Sequence, residues 1–325
     1  MNRLSWWNSR EDAERTGGTI PRGIPFAALT AVISGFAVYV GAYGVKEFPS
    51  AAVYTTVRNT IVGLTLLALL LRPTALQEIR RLTLHQGIGL VLLGIVGGSV
   101  PFVLFFEGLN RTGSANGAFI QKTLFLWVAL LAVIFLRERL GGGQLAALGL
   151  LLVAQALSGG PSVARLGSGE MLVLGATLFW SAEVVVAKRL LAGISSSLGA
   201  TARMAFGAVI LLCYLGITGK LGIIGHLSLS QWAWAIGPSI LLFGYVTTWY
   251  AALKRAPATT VSCVLTLGAP ITAVLSALAG SGLPRLDALQ GYAVLIVAVV
   301  IYAFFSLRGA APRSANSHAV AEGDA

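Results

Sequence analysis

The chain has 325 residues, 56% of them hydrophobic and only 11% charged, with a mean hydropathy of +0.81. A soluble domain carries about 25% charged residues, so this composition excludes a soluble enzyme or regulator. The net charge of +11 is therefore read as a topology signal and as contact with anionic lipid, not as a nucleic-acid footprint.

Taken in order, a polar N-terminal tail (1–23) precedes an apolar run of about twenty residues, longer than the roughly 7–15 of a secretory signal core. It is read as the first permanent span. Nine more follow, giving predicted helices at 24–45, 50–71, 86–108, 113–136, 143–159, 170–191, 197–218, 231–252, 257–279 and 287–307. Most reach the roughly 20 helical residues that a hydrocarbon layer requires, and continuous runs argue against the alternating strands of a β-barrel. The expected fold class is an all-α polytopic membrane protein. Gly94/Gly98 and Gly113/Gly117 have the small-xxx-small spacing of close helix crossings. After the last span, residues 308–325 form an Ala/Ser/Gly-rich tail expected to be disordered. Cys213 and Cys263 lie in apolar runs and His85, His226 and His318 in loops or the tail. No metal site, cofactor or catalytic residue is expected.

Lysine and arginine sort by side. Alternate connections, beginning with the N-terminal tail, hold fifteen of them and the opposite set five (Lys46, Arg111, Arg165, Lys220 and Arg285). The bias places both termini in the cytoplasm of a cell (inner) membrane protein.

The chain also repeats itself at an offset of about 144–145. Residues 54–71 (YTTVRNTIVGLTLLALLL) match 199–215 (GATARMAFGAVILLCYL), setting Arg58 against Arg203, and FEGLNRTGSANGAF (106–119) matches YAALKRAPATTVSC (250–263). The halves, 24–160 and 168–307, each contain five spans. An odd number forces the second half into the membrane upside down, the arrangement that suits alternating access.

Several features together resemble the EamA-like branch of the drug/metabolite transporter superfamily. They are the 5+5 spans, an arginine early in the second helix of each half, the Ala-Leu-basic turn at 252–254 and the stretch FLRERLGGGQLAALGLLLVAQAL (135–157). The resemblance implies a secondary carrier of small metabolites, commonly amino acids, often working outward. Three features depart from it: Pro270 has Leu126 as its counterpart, the Arg-Glu-Arg turn at 137–139 has no equivalent, and Lys122 breaks the repeat. No GxxxxGK[ST] phosphate loop is present, which argues against ATP-driven pumping by this chain.

Five ionisable residues fall inside the spans: Arg58, Glu107, Lys122, Glu183 and Arg203. Each costs about 2.5–3.5 kcal/mol near the centre unless paired, hydrated or snorkelled. At about 1.5 Å per residue, Arg58, Glu107 and Lys122 fall in the outer half, and Glu183 and Arg203 near the inner surface. The expected gating or ion-pair residues are Glu107, Arg58 and Arg203. The expected substrate contacts are Lys122 for an anionic group and Glu183 for a cation or proton. Trp180, one turn before Glu183, joins them, with Gln121, Phe119, Tyr39 and Tyr245; Phe119 and Phe125 are placed to bracket Lys122. Static pairs that fix helix register are the competing reading. The expected partners are a small-molecule substrate, the lipid bilayer and protons as coupling ion, with no nucleic acid; a homodimer is left open. The alternative function is a membrane-embedded enzyme acting on a lipid-linked substrate.

Overall fold

The computed structural model describes residues 20–112, 114–158, 167–281 and 284–310. The expected tail disorder beyond residue 310, the expectation for Gly113 and most of the N-terminal tail lie outside them. Every regular element among the described residues is helical. Nine helices are long and apolar enough to cross a membrane: α1 (Arg22–Glu47), α2 (Ala51–Leu69), α3 (Leu84–Leu109), α4 (Gly117–Leu136), α6 (Ser168–Leu190), α7 (Ser196–Ile217), α8 (Leu229–Arg255), α9 (Ala258–Gly280) and α10 (Leu286–Arg308). A shorter apolar helix, α5 (Gly142–Leu157), completes the ten. Polar residues start several of them by capping orphan N–H groups: Ser50 before α2, Thr83 with Gln86 before α3, Ser195 before α7, and Ser228 with Gln231 before α8.

Packing across the halves follows one swap rule. Helix α1 packs on α8 and α6 on α3, while α2 meets α7, α4 meets α9 and α5 meets α10. Exchanging each helix with the one five places later maps this pattern onto itself. With five spans per half, the exchange is a two-fold axis in the membrane plane, and the fold is two inverted five-helix repeats. Aliphatic side chains such as Leu64, Val209, Ile240 and Val300 stay exposed on the outside, as a bilayer-facing surface permits.

Small residues set the crossings. A Cβ on Gly98 of α3 would strike the Arg203 carbonyl, and one on Gly207 of α7 would meet the backbone of Gly98. The two helices therefore touch backbone to backbone, as the Gly94/Gly98 spacing leads one to expect.

Two of the expected continuous helices are broken. In α4 the helical segments Ser114–Lys122 and Leu124–Leu131 are separated by Thr123; in α9, Ala258–Leu265 and Gly268–Ser276 are separated by Thr266 and Leu267. Thr123 Oγ1 donates to the Ile120 carbonyl and Thr266 Oγ1 to the Cys263 carbonyl, both at 2.6 Å. Their backbone N–H groups also bond three residues back, tightening the turn so that the next segment leaves at a new angle. The sequence offset of 144 pairs Lys122 with Thr266, whereas the matched breaks pair Thr266 with Thr123 and make Leu265 the counterpart of Lys122. The lysine thus remains unmatched in the repeat.

Candidate functional site

The ends of the bundle differ. At the end where the Lys- and Arg-rich connections gather, hereafter the basic end, the nearer segments of α4 and α9 meet, and Ala258–Val264 are buried throughout. Beyond the breaks the two helices part: Ser114–Lys122 packs on α3 and α6, and Gly268–Ser276 on α1. Most described residues of those outer segments are half-buried or exposed.

Charged side chains hold the basic end shut by binding helix ends. Arg137 adopts a left-handed conformation (φ 55°) as α4 ends. The following Glu138 accepts from the N–H groups of Ala258 (2.6 Å) and Thr259 (3.3 Å), so a carboxylate caps the positive start of α9. Glu78, on the short helix Pro73–Arg80, accepts from the N–H of Ser195 at 2.6 Å, at the start of α7. Cations serve the opposite helix ends. Lys188 Nζ donates to the carbonyls of Leu253 (2.7 Å) and Ala256 (2.8 Å), and Lys254 Nζ to that of Ile194 (2.8 Å). Arg189 reaches the Phe135 carbonyl. The contacts of Glu138, Glu78 and Arg189 cross between the two halves of the chain, and that of Lys188 joins α6 to the end of α8.

Deeper in, Glu183 of α6 and Arg203 of α7 form an ion pair, Nε to Oε1 at 2.9 Å, with side chains only 4% and 9% exposed. The Tyr250 hydroxyl of α8 donates to the same oxygen at 2.8 Å. Glu183 lies against Gly97, where any Cβ would collide with it. That stretch of α3, Gly94–Ser99, is a π turn, and Pro101 has no N–H to send to the Gly97 carbonyl as an α-helix would. The Trp180 indole donates to that carbonyl instead, at 3.2 Å.

The residues singled out from the sequence separate into groups. Glu183 and Arg203 are in contact, and Tyr245, on the helix of Tyr250, is close enough to interact electrostatically with both. Trp180 sits on Gly97 between Phe102 and Phe105, with ring centroids 5.3 and 5.5 Å away. The expected outer cluster of one acid and two bases does not form. Glu107 pairs with Arg111 one turn along its own helix at 2.7 Å, a local contact that leaves Arg58 and Lys122 without it. Phe125 also departs from expectation: the break at Thr123 rotates it away from Lys122 into the core, where it is 2% exposed. Phe119 and Gln121 are half-buried, and Lys122 is exposed although protein fills much of the space around it. The Arg58 guanidinium lies 4.9 Å over the Tyr54 ring. Tyr39 stacks edge-on with Tyr43 at 5.3 Å beside a cavity of about 200 Å³.

Sequence reasoning missed Tyr250, Gly97, Glu138 and Lys188. Pro101 was the one available signal, because the carbonyl that it orphans needs a donor. Nothing local marks Glu138 as a partner of α9. Among the described residues no group of three or more His, Cys, Asp and Glu side chains is placed to hold a metal ion.

The EamA-like transporter family matches the chain twice, over residues 21–159 and 167–304. A solved crystal structure of a protein superposes with a TM-score of 0.71 over 89% of this chain and 99% of its own length, at 16% identity. At that identity the likeness is one of fold. No curated protein matches the chain.

Proposed function

Because the chain belongs to the EamA-like transporter family, we propose that it is a secondary carrier of small polar metabolites, amino acids among them, working by alternating access. In this reading the basic end faces the cytoplasm, as the Lys and Arg bias favours, and export is the direction that the family resemblance implies. The observation that carries the reading is the asymmetry of α4 and α9: buried together at the basic end, parted beyond their breaks. An inverted repeat closed at one end has a second conformation with the roles of the two halves exchanged, closed at the other. Lys122, at the break in α4, is the proposed contact for an anionic group. Glu183 is the proposed proton or cation site; in the present conformation Arg203 and Tyr250 occupy it, so it would act only once that contact opens.

The test uses a cysteine-free background, with Cys213→Ser and Cys263→Ala. A cysteine at Lys122 should react with a membrane-impermeant maleimide from the side opposite the basic end. A cysteine at Ser262 should be protected until a transported solute turns the carrier over. Protection at Ser262 under every condition, with no solute counterflow in proteoliposomes, would overturn the proposal. Proton coupling has its own readout: collapsing the pH gradient should slow uphill accumulation, and unaffected accumulation rejects it.

A further inference from the structure

Resting on the carrier reading, we infer that the cargo is a net-negative, carboxylate-bearing solute, and that Arg58 together with Lys122 supplies the countercharge. Glu183 is taken by Arg203 and Glu107 by Arg111. Among the described residues no carboxylate lies within ion-pair distance of Arg58 or Lys122, so two cations at membrane depth are left unneutralised by the protein. A charge in that position is costly unless something else compensates it.

The repeat shows where compensation was omitted. Arg203 and Arg58 occupy matching places, and Arg203 obtains its acid from α6. The position on α1 that corresponds to Glu183 at the same offset is Val38, which is 58% exposed and lines the cavity of about 200 Å³ beside Tyr39, Tyr43, Lys46, Thr272 and Ser276. That lining contains one cation and no acid. Arg58 approaches the same helix one turn further on: its Nη1 would lie 3.6 Å from a Cβ on Gly41. Its Nε is buried without a hydrogen-bond partner, and so are the Tyr54 hydroxyl and both ends of the Asn59 carboxamide, a residue 1% exposed. This stretch of α2 therefore holds unused hydrogen-bonding capacity next to an unpaired guanidinium, a group suited to a planar carboxylate. A neutral zwitterion would bring an ammonium that meets no acid in this lining, whereas succinate and glutamate keep a net negative charge.

The experiment uses the full chain in nanodiscs of zwitterionic lipid, with ligand affinity read by isothermal titration and transport by counterflow. The probes are succinate, glutamate, glutamine, lysine and inorganic phosphate. Glutamate and glutamine are nearly isosteric and differ by one charge, so the expected result is at least about tenfold tighter binding of glutamate or succinate than of glutamine, with lysine excluded. Arg58→Met and Lys122→Met, each first checked for an unchanged melting temperature, should each weaken the organic anion about tenfold or more. Lys122→Glu should shift the preference toward lysine. Equal binding of glutamate and glutamine, preference for lysine, phosphate binding without any organic anion, or no binding from the panel would each overturn the inference. Failure of the carrier reading looks different: anions bind, yet no solute shows counterflow.

Discussion

Arg58 and Arg203 descend from one position of a duplicated unit, yet they sit in opposite circumstances. Arg203 is almost fully enclosed, held 2.9 Å from Glu183, and its acid is fixed further by Tyr250. Arg58 is half-buried over the face of Tyr54, and no carboxylate among the described residues is paired with it. The duplicated scaffold survives in both halves, in the swap-related packing and in the matched helix breaks. The chemistry does not. Inverted repeats need two similar packings of nearly equal energy, but a solute with a definite charge distribution needs a site that is not symmetric. An acid on α6 with none at the matching place on α1, and a lysine at position 122 alone, fit both demands within one shared scaffold.

The largest expected effect separates the two arginines by stability. Glu183→Ala strands a buried guanidinium, which costs about 3–5 kcal/mol, and a large fall in melting temperature should follow in detergent. Adding Arg203→Met should recover much of that loss, because removing both partners of a buried pair is far milder than removing one. Arg58→Met should leave the melting temperature nearly unchanged. If it destabilises as much as Glu183→Ala, the contrast between the halves is wrong. The complementary change installs the missing acid. Val38→Glu places a carboxylate where the repeat would put one, and it should lower affinity for organic anions about tenfold, roughly 1.4 kcal/mol, by competing for Arg58.

The architecture was legible because membrane physics writes it in one dimension. Twenty-residue apolar runs, basic loops on alternate sides and an offset of about 144 follow from hydropathy and charge alone, and the helix bounds differ from expectation by only a few residues. The breaks in α4 and α9 were not legible. Thr123 directly precedes a long apolar run, and a threonine bonding three residues back is a local choice that composition does not announce. The candidate site was half legible. Depth along a helix placed Glu183 and Arg203 at the same level, since rise per residue is fixed. Rotation around the helix was harder: Glu107 was close enough in depth to reach inward but turned to Arg111, its neighbour one turn away. The basic-end contacts were invisible for another reason. A side chain on a helix-terminal N–H or carbonyl has no sequence partner to covary or alternate with, so Glu138 reads as one charge in a basic turn until α9 is seen above it.

That contact gives a smaller effect, which tests whether the basic end is a latch or merely a lid of fixed structure. Glu138→Gln keeps the shape and loses the charge, replacing the charge-assisted bond to Ala258 with a neutral one and giving up the longer one to Thr259, because the amide NH2 cannot accept. The difference is about 1 kcal/mol, enough to raise the population open at the basic end roughly fivefold. The reactivity of a cysteine at Ser262 should rise by that factor while the melting temperature moves little. A rise in reactivity matched by general loosening, seen as faster labelling at buried sites far from α9 such as Met204→Cys, would make Glu138 a structural cap only.

Glu107 supplies the smallest effect and the sharpest control. Its pair with Arg111 is an i,i+4 contact with both side chains about half exposed, 47% and 48%. Such pairs contribute about 0.3–0.5 kcal/mol, less in salt. Glu107→Gln should therefore change neither the melting temperature nor anion affinity beyond error. By depth along the helices this acid lies at the level of Lys122 and Arg58, where it could neutralise them instead. Were that so in the working carrier, the substitution would release two cations into the cleft and tighten anion binding several-fold. Titration of succinate against Glu107→Gln therefore decides between a local surface pair and a countercharge held within the site. An unchanged isotherm leaves Arg58 and Lys122 as the unpaired cations of the first half.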